Sequence, residues 1–397
     1  MLENTKGPAR LGARPMPAFP ASRLAVCGMF LLNGIVVGSW APKIPEFAGR
    51  LDLSEAGLGL MIFGFGVGSL VFMPAFGAWV ARAGSRTPSR FGCILVTLVI
   101  PAITLAPNTT SAAIVLFLVG GAVGGTDIAM NASAVSVERK MGRAIMSSCH
   151  GFWSIGGLIG AAAGGPLIAA FGTLGHALIV ALICLIILAM AWTSIVVDRP
   201  ETAISQKTPL RLPRASLPYA LGIVALFSMI PEGAVLDWGA LYMREELGAD
   251  LVLSGWGFAA FSATMAIMRF MGDRIRNRLG AVQTLRVSAF LAALGLLTAG
   301  QAPNSMVAII GFAIAGIGVA NMVPIVFSAA GNMPGIATGI GLSIVTFMGY
   351  SGVLFAPSII GFIAEYTGFS PIFTALPALF IIVLALSGLT RSADINQ

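Results

Sequence analysis

The sequence predicts an all-α membrane protein with twelve transmembrane helices in two pseudo-symmetric six-helix bundles. Three observations predict it: an extreme apolar composition, twelve spanning-length apolar runs, and a repeat relating the two halves. Of the 397 residues, 57% are hydrophobic and only 10% charged, against about 25% charged in a soluble domain. A chain this apolar cannot cover a globular surface with polar groups, so much of its surface faces lipid. The 49 glycines are spread through the apolar runs, as in closely packed membrane helices.

A spanning helix needs about 20 mostly apolar residues. Such runs fall at 22–41, 55–80, 90–106, 111–137, 144–171, 174–197, 217–243, 252–273, 284–300, 305–330, 336–364 and 370–390. None alternates with period two, which excludes barrel strands. A cytoplasmic tail of 1–21 precedes the first six-helix bundle at 22–197. A polar linker of 198–216 joins it to the second bundle at 217–390, and 391–397 form a short tail. The first run lacks a small-residue cleavage site and reads as a retained helix.

With the N-terminus inside, nineteen of the 23 Lys and Arg residues fall on the inner side. Lys43, Arg50 and Arg244 fall outside, and Arg269 lies within a run. This asymmetry predicts cytoplasmic termini in a multi-pass inner-membrane protein. It also accounts for the net charge of +7 without a nucleic-acid partner, because the basic residues sit in short inner loops. The four cysteines are isolated within apolar stretches and form no metal-ligand spacing. There is no phosphate-binding Gly-x-x-x-x-Gly-Lys-Ser/Thr loop and no nucleophile constellation, so neither an enzyme nor a cofactor is expected.

The halves repeat. Arg82-Ala-Gly84 followed by Arg90 recurs as Arg278-Leu-Gly280 followed by Arg286, offset by 196. Leu53-Ser54-x-x-Gly57 recurs as Leu253-Ser254-x-x-Gly257, and Trp40 recurs as Trp238. Parallel repeats enclosing a site between them are a transporter plan, whereas no filter-like loop or ring of acids suggests a channel.

Charge inside a bilayer is costly and marks functional candidates. Asp127, Glu232, Asp237, His150 and Arg269 lie within runs. Asp127 falls about 24 Å into the fourth helix at 1.5 Å per residue, with Asn131 one turn on along the same face. His150 shares the depth of Asn131 from the inner side, a placement that allows a link from Asp127 through Asn131 to His150. An imidazole that changes charge near neutral pH suits a proton relay; a neutral histidine bonded to a carbonyl is the competing account. Glu232 lies between Pro231 and Gly233, flanks that permit a broken helix lining a site. Asp127, Glu232 and His150 are the proton-coupling candidates. Asn33, Asn131, Trp153, Asp237, Asn321 and Tyr350 are candidates for holding a small polar solute, Trp153 by stacking. Arg269 and Asp273, one turn apart, suggest a gating or structural ion pair.

These features resemble the major facilitator superfamily over essentially the whole chain. That family's loop between helices two and three reads roughly Gly-x-x-x-Asp-Arg-x-Gly-Arg-Arg. Here it is Gly77-Ala-Trp-Val-Ala81-Arg82-Ala-Gly84-Ser-Arg86, with alanine at the aspartate position. The second half keeps an acid in Asp273-Arg274, followed by Arg278 and Gly280. Asp127-x-x-x-Asn131, Val137-Glu138, His150-Gly-Phe-Trp-Ser154, Asp237-Trp238 and Tyr350-Ser-Gly352 resemble the fucose-permease-like branch. The resemblance implies a monomeric, alternating-access secondary transporter moving sugars or similar polar solutes with protons. That branch includes an acid on helix four, matched by Asp127, and one on helix one, where this chain has Asn33. Gly160-x-x-x-Gly164-Gly165-Pro166 weakly resembles a motif of drug/proton antiporters, which makes export of amphipathic compounds the alternative. A membrane sensor is disfavoured because no signalling domain is attached.

Overall fold

A computed structural model describes residues 20–53, 55–198, 212–249 and 251–394. The first 19 residues, most of the expected linker (199–211) and residues 395–397 lie outside the described residues.

Among the described residues every regular element is helical, because in lipid each backbone N–H and C=O must be satisfied within its own segment. The principal helices are α1 (Ala21–Trp40), α2 (Glu55–Ala83), α3 (Arg86–Leu105) and α4 (Thr109–Met141). The next helix, Met146–Ala191, is broken at Gly172, whose φ of 70° is left-handed. At about 1.5 Å per residue its 46 residues would overrun a bilayer, so α5 (146–171) and α6 (173–191) are separate crossings. In the second half lie α7 (Leu217–Glu245), α8 (Leu251–Leu279), α9 (Ala281–Gly300), α10 (Ser305–Gly331), α11 (Thr338–Thr367) and α12 (Ser370–Ala393).

Ten described helices are long and apolar enough to cross a membrane, with Met146–Ala191 taken as one. Counting α5 and α6 separately and adding the more polar α8 agrees with twelve crossings. The expected boundaries hold to within about four residues, except that α6 ends at Ala191, short of the expected 197, and α8 runs on to Leu279, past the expected 273. Its last turns carry Arg274 and Arg278, which are exposed, and Asp273 and Arg276, which are buried.

Local chemistry explains the ends and bends. Asn108 caps α4 by accepting from the Ser111 N–H, and Gly142, at φ 61°, terminates it in the left-handed conformation. Pro74, Pro166, Pro231 and Pro357 interrupt α2, α5, α7 and α11, a pattern tolerated where neighbouring helices re-satisfy the backbone.

Two hydrophobic cores form. One is built from residues 25–196, and the other mostly from residues 221–393, joined by Met73, Phe76, Val80, Ile128, Ala129 and Ala132 across the seam. Helix α1 meets α5 on glycines: a Cβ at Gly34 would strike the Trp153 carbonyl, and one at Gly160 the Ile35 carbonyl. This small-residue crossing accounts for the Gly160-x-x-x-Gly164 spacing as packing, since a Cβ at Gly164 would strike Pro42.

Candidate solute and proton site

A cavity of about 290 Å³ lies between the halves. Its wall includes Asn33 and Val37 from α1, Phe65 from α2, Asp127 and Val123 from α4, and His150 and Trp153 from α5. The second half contributes Glu232 from α7, Arg269 from α8, Phe327 from α10 and Tyr350 from α11.

Asp127, 6% exposed, is the polar centre of the first half. The Asn131 amide donates to its backbone carbonyl at 2.8 Å and to its Oδ1 at 3.2 Å. That orientation turns the Asn131 Oδ1 toward His150 Nε2, 3.3 Å away. Asn131 can only accept there, so Nε2 carries the proton of the imidazole. Phe30 and Phe327 flank the His150 ring at centroid distances of 5.1 and 5.9 Å. The chain from Asp127 through Asn131 to His150 is therefore present, with Asn131 as a buried bridge behind the cavity wall. Asp127 Oδ2 and Asn33 Nδ2, both on cavity-lining residues, have no hydrogen-bond partner among the described residues. The Trp153 indole N–H donates to Asn33 Oδ1 at 3.3 Å, which orients that amide.

Glu232 faces the cavity 3.5 Å from the Arg269 guanidinium, which also donates to the Ser154 hydroxyl on the opposite half at 2.6 Å. The wall thus holds two carboxylates and one guanidinium, and among the described residues Asp127 is the one of the two acids without a cationic partner. Arg269 and Asp273 do not pair with each other as their spacing suggested. Asp273 instead accepts from the Ser147 and Ser148 N–H groups at the start of α5, at 3.0 and 3.2 Å. It also lies 3.6 Å from Arg23. Free N–H groups at a helix start attract a carboxylate more strongly than a side chain one turn away that already has a partner.

Two other candidates stand elsewhere. Asp237 is exposed and absent from the cavity wall, because five residues past Glu232 place it about 140° round the helix. Asn321 is 1% exposed and packed against Gly272 at the break in α10.

Below the cavity, toward the basic loops, the halves are clamped together. Glu138 and Arg276 approach to 3.0 Å, and Ser328 donates to Glu138. The Ile145 and Met146 N–H groups also donate to Glu138, at 2.9 and 3.0 Å. Asn277 accepts from the Ala144 N–H at 3.0 Å. The start of α5 is therefore capped by Glu138 of its own half and by Asn277 and Asp273 of the other. Arg139 donates to Asn332, Gly331 and Thr338.

The loop motif is also resolved. The carboxylate missing at Ala81 is supplied by Asp198, which accepts from the Ser85 N–H at 2.9 Å beside Gly84. Its counterpart Asp394 accepts from the Ala281 N–H at 2.6 Å beside Gly280. Gly84 and Gly280 adopt φ 76° and 79°, conformations glycine takes without strain. Gly77 lies against Gly339 and Ser343 of α11, bringing the halves to backbone contact. Arg82 lies in the last turn of α2, Arg86 begins α3, and Arg274 and Arg278 lie in the last turns of α8.

This fold and cavity define a membrane transporter of the major facilitator type. The model of the Major Facilitator Superfamily matches residues 26–340 and 221–394, and the chain belongs to that family. It is 33% identical over 358 residues to an uncharacterized MFS-type transporter of Yersinia pestis, covering 90% of this chain and 92% of that one. It is 32% identical over 382 residues to the membrane protein MosC of Rhizobium meliloti, covering 95% and 92%. Among solved structures, a variant of the E. coli fucose:proton symporter FucP superposes with a TM-score of 0.77 at 16% identity, covering 92% of this chain and 97% of that one. FucP in an outward conformation gives a TM-score of 0.78, with the same identity and coverage. At these identities the likeness is one of fold.

Proposed function

We propose that the protein is a proton-coupled secondary transporter moving a small polar solute, a sugar, polyol or related compound, across the cytoplasmic membrane by alternating access. The observation that carries this reading is Asp127: a buried carboxylate at the cavity wall, with one oxygen unpartnered and the other tied through Asn131 to His150. A titratable acceptor on the same wall as the Asn33 Nδ2, which has no partner among the described residues, serves both a proton and a hydroxyl-bearing solute. Glu232 is the second acid, held by Arg269 of its own half, whereas the Arg269–Ser154 contact spans the halves and can part as they move. Trp153 and Tyr350 supply aromatic surface to the same cavity, and Trp153 fits stacking on a sugar face.

In the arrangement described, the bonds between halves concentrate on the side of the basic loops. With those loops cytoplasmic, as the charge asymmetry predicts, this is the state closed toward the cytoplasm. Residues 22–197 and 217–390 then rock as two bodies about the cavity, joined by 198–216. The exporter alternative rests on the Gly160 motif, of which Gly160 and Gly164 also serve in helix packing.

The test is ligand-induced thermal stabilisation of the purified protein, at two pH values, by sugars, polyols, amino sugars, nucleosides and lipophilic cations. A polar hit whose effect changes with pH is expected. Stabilisation by lipophilic cations alone would contradict the reading.

A further inference from the structure

Beside the polar cavity lies a second space, of about 150 Å³, lined by α1, α2, α3 and α4 and partly open, with Ile62, 43% exposed, on its wall. Val36, Val99, Ile103, Leu116 and Val119 line it, each 6% exposed or less. Apart from the indole N–H of Trp40, its wall is hydrocarbon. Protein interiors seldom leave voids larger than a water molecule. An apolar cavity of about this volume accepts a benzene ring.

Val37, Phe65 and Val123 belong to the walls of both spaces. Asn33 and Val37 are one turn apart on α1, and Val123 and Asp127 one turn apart on α4, so each pair shares a helix face. The polar and apolar surfaces are successive turns of the same two helices. One small molecule spanning about 5–6 Å touches both.

The geometry points to a solute with two parts: a hydroxyl- or amino-bearing portion at Asp127 and Asn33, and an apolar arm no larger than a single ring or short branched chain in the side chamber. This rests on the polar-solute reading above and narrows it to polar compounds bearing one such arm, such as aryl or alkyl glycosides and ethers. The arm enters by way of Val37 and Val123, so methyl or phenyl substitution of a polar parent raises affinity.

Two measurements on the full chain in detergent test this. Fluorobenzene, followed by ¹⁹F NMR, is expected to bind saturably, to weaken by about tenfold or more in Val119→Phe, which fills the chamber, and to persist in Leu116→Ala, which enlarges it. Phenyl glycosides are expected to stabilise the wild type more than the matched methyl glycosides, with that advantage lost in Val119→Phe and the methyl response unchanged. No saturable fluorobenzene binding overturns the chamber, as does binding indifferent to Val119→Phe, or native mass spectrometry showing a phospholipid that fluorobenzene displaces. Fluorobenzene binding without any phenyl advantage overturns the link between the two spaces. Fluorobenzene binding with no response to any polar compound overturns the polar-solute reading and leaves the chamber standing.

Discussion

Glu138 and Arg276, from opposite halves, meet at 3.0 Å with side chains 0% and 2% exposed. Buried pairs are costly to break from one side, by about 3–5 kcal/mol, because the remaining charge has no partner. Glu138 also holds two N–H groups of α5, so it ties the start of a helix to the opposite bundle.

Glu138→Ala is therefore expected to lower the melting temperature by several degrees and to increase labelling of a cysteine introduced at the cytoplasmic seam. The double variant Glu138→Ala/Arg276→Leu is expected to recover part of the lost stability, since no uncompensated charge remains. Strict additivity of the two single variants would mean that they do not act as a pair.

Arg269 joins Glu232 to Ser154 across the cavity. Arg269→Ala leaves Glu232 without its cationic neighbour and is expected to reduce transport by at least an order of magnitude. Arg269→Lys is expected to retain part of it, because a lysine keeps the charge while losing the fork that reaches both partners. Equal, wild-type rates in both variants would remove Arg269 from the working site.

Asp198 caps the Ser85 N–H, and losing a carboxylate cap costs about 0.5–2 kcal/mol. Asp198→Ala is expected to destabilise by that amount. Ala81→Asp would restore the family's own acid within the motif, and is expected to recover some of the loss. A melting curve of Asp198→Ala that overlays the wild type would show the cap to be idle.

Outside the spans, Lys43 is 1% exposed and donates to the Thr173 carbonyl at 2.9 Å, and burial lowers its pKa from the ordinary lysine value. Between that lowered value and about 10.4 the unfolded chain holds a proton that the folded chain lacks. Stability is thus expected to rise with pH through this window. Lys43→Met should flatten the rise, as read by melting temperature from pH 7 to 10. An undiminished slope in that variant would assign it to another group.

Much of the fold was legible because a bilayer admits few backbone solutions: apolar length and the Lys/Arg asymmetry are read one segment at a time. The Asp127–Asn131–His150 chain was legible for the same reason, being set by helical spacing and depth. What escaped depends on which helix lies opposite which. Asp273 spends its carboxylate on the start of α5 and not on Arg269, and Ser154 was invisible as the guanidinium's partner. Asp198 was within reach, since it precedes Asp394 by the 196 residues that relate the two loop motifs. Its role needed the turn at Gly84 to be seen. Nor did the spacing of Gly160 and Gly164 reveal their packing against Ile35 and Pro42, because packing and motif share the same spacing.

The central claim is that Asp127 carries the coupling proton. The most direct measurement is uptake of the best-stabilising polar solute into proteoliposomes, with and without an imposed pH gradient, by wild type and Asp127→Asn. The account predicts gradient-driven accumulation by the wild type, and in Asp127→Asn its loss with binding and solute exchange retained. Accumulation by Asp127→Asn to the wild-type level would contradict it.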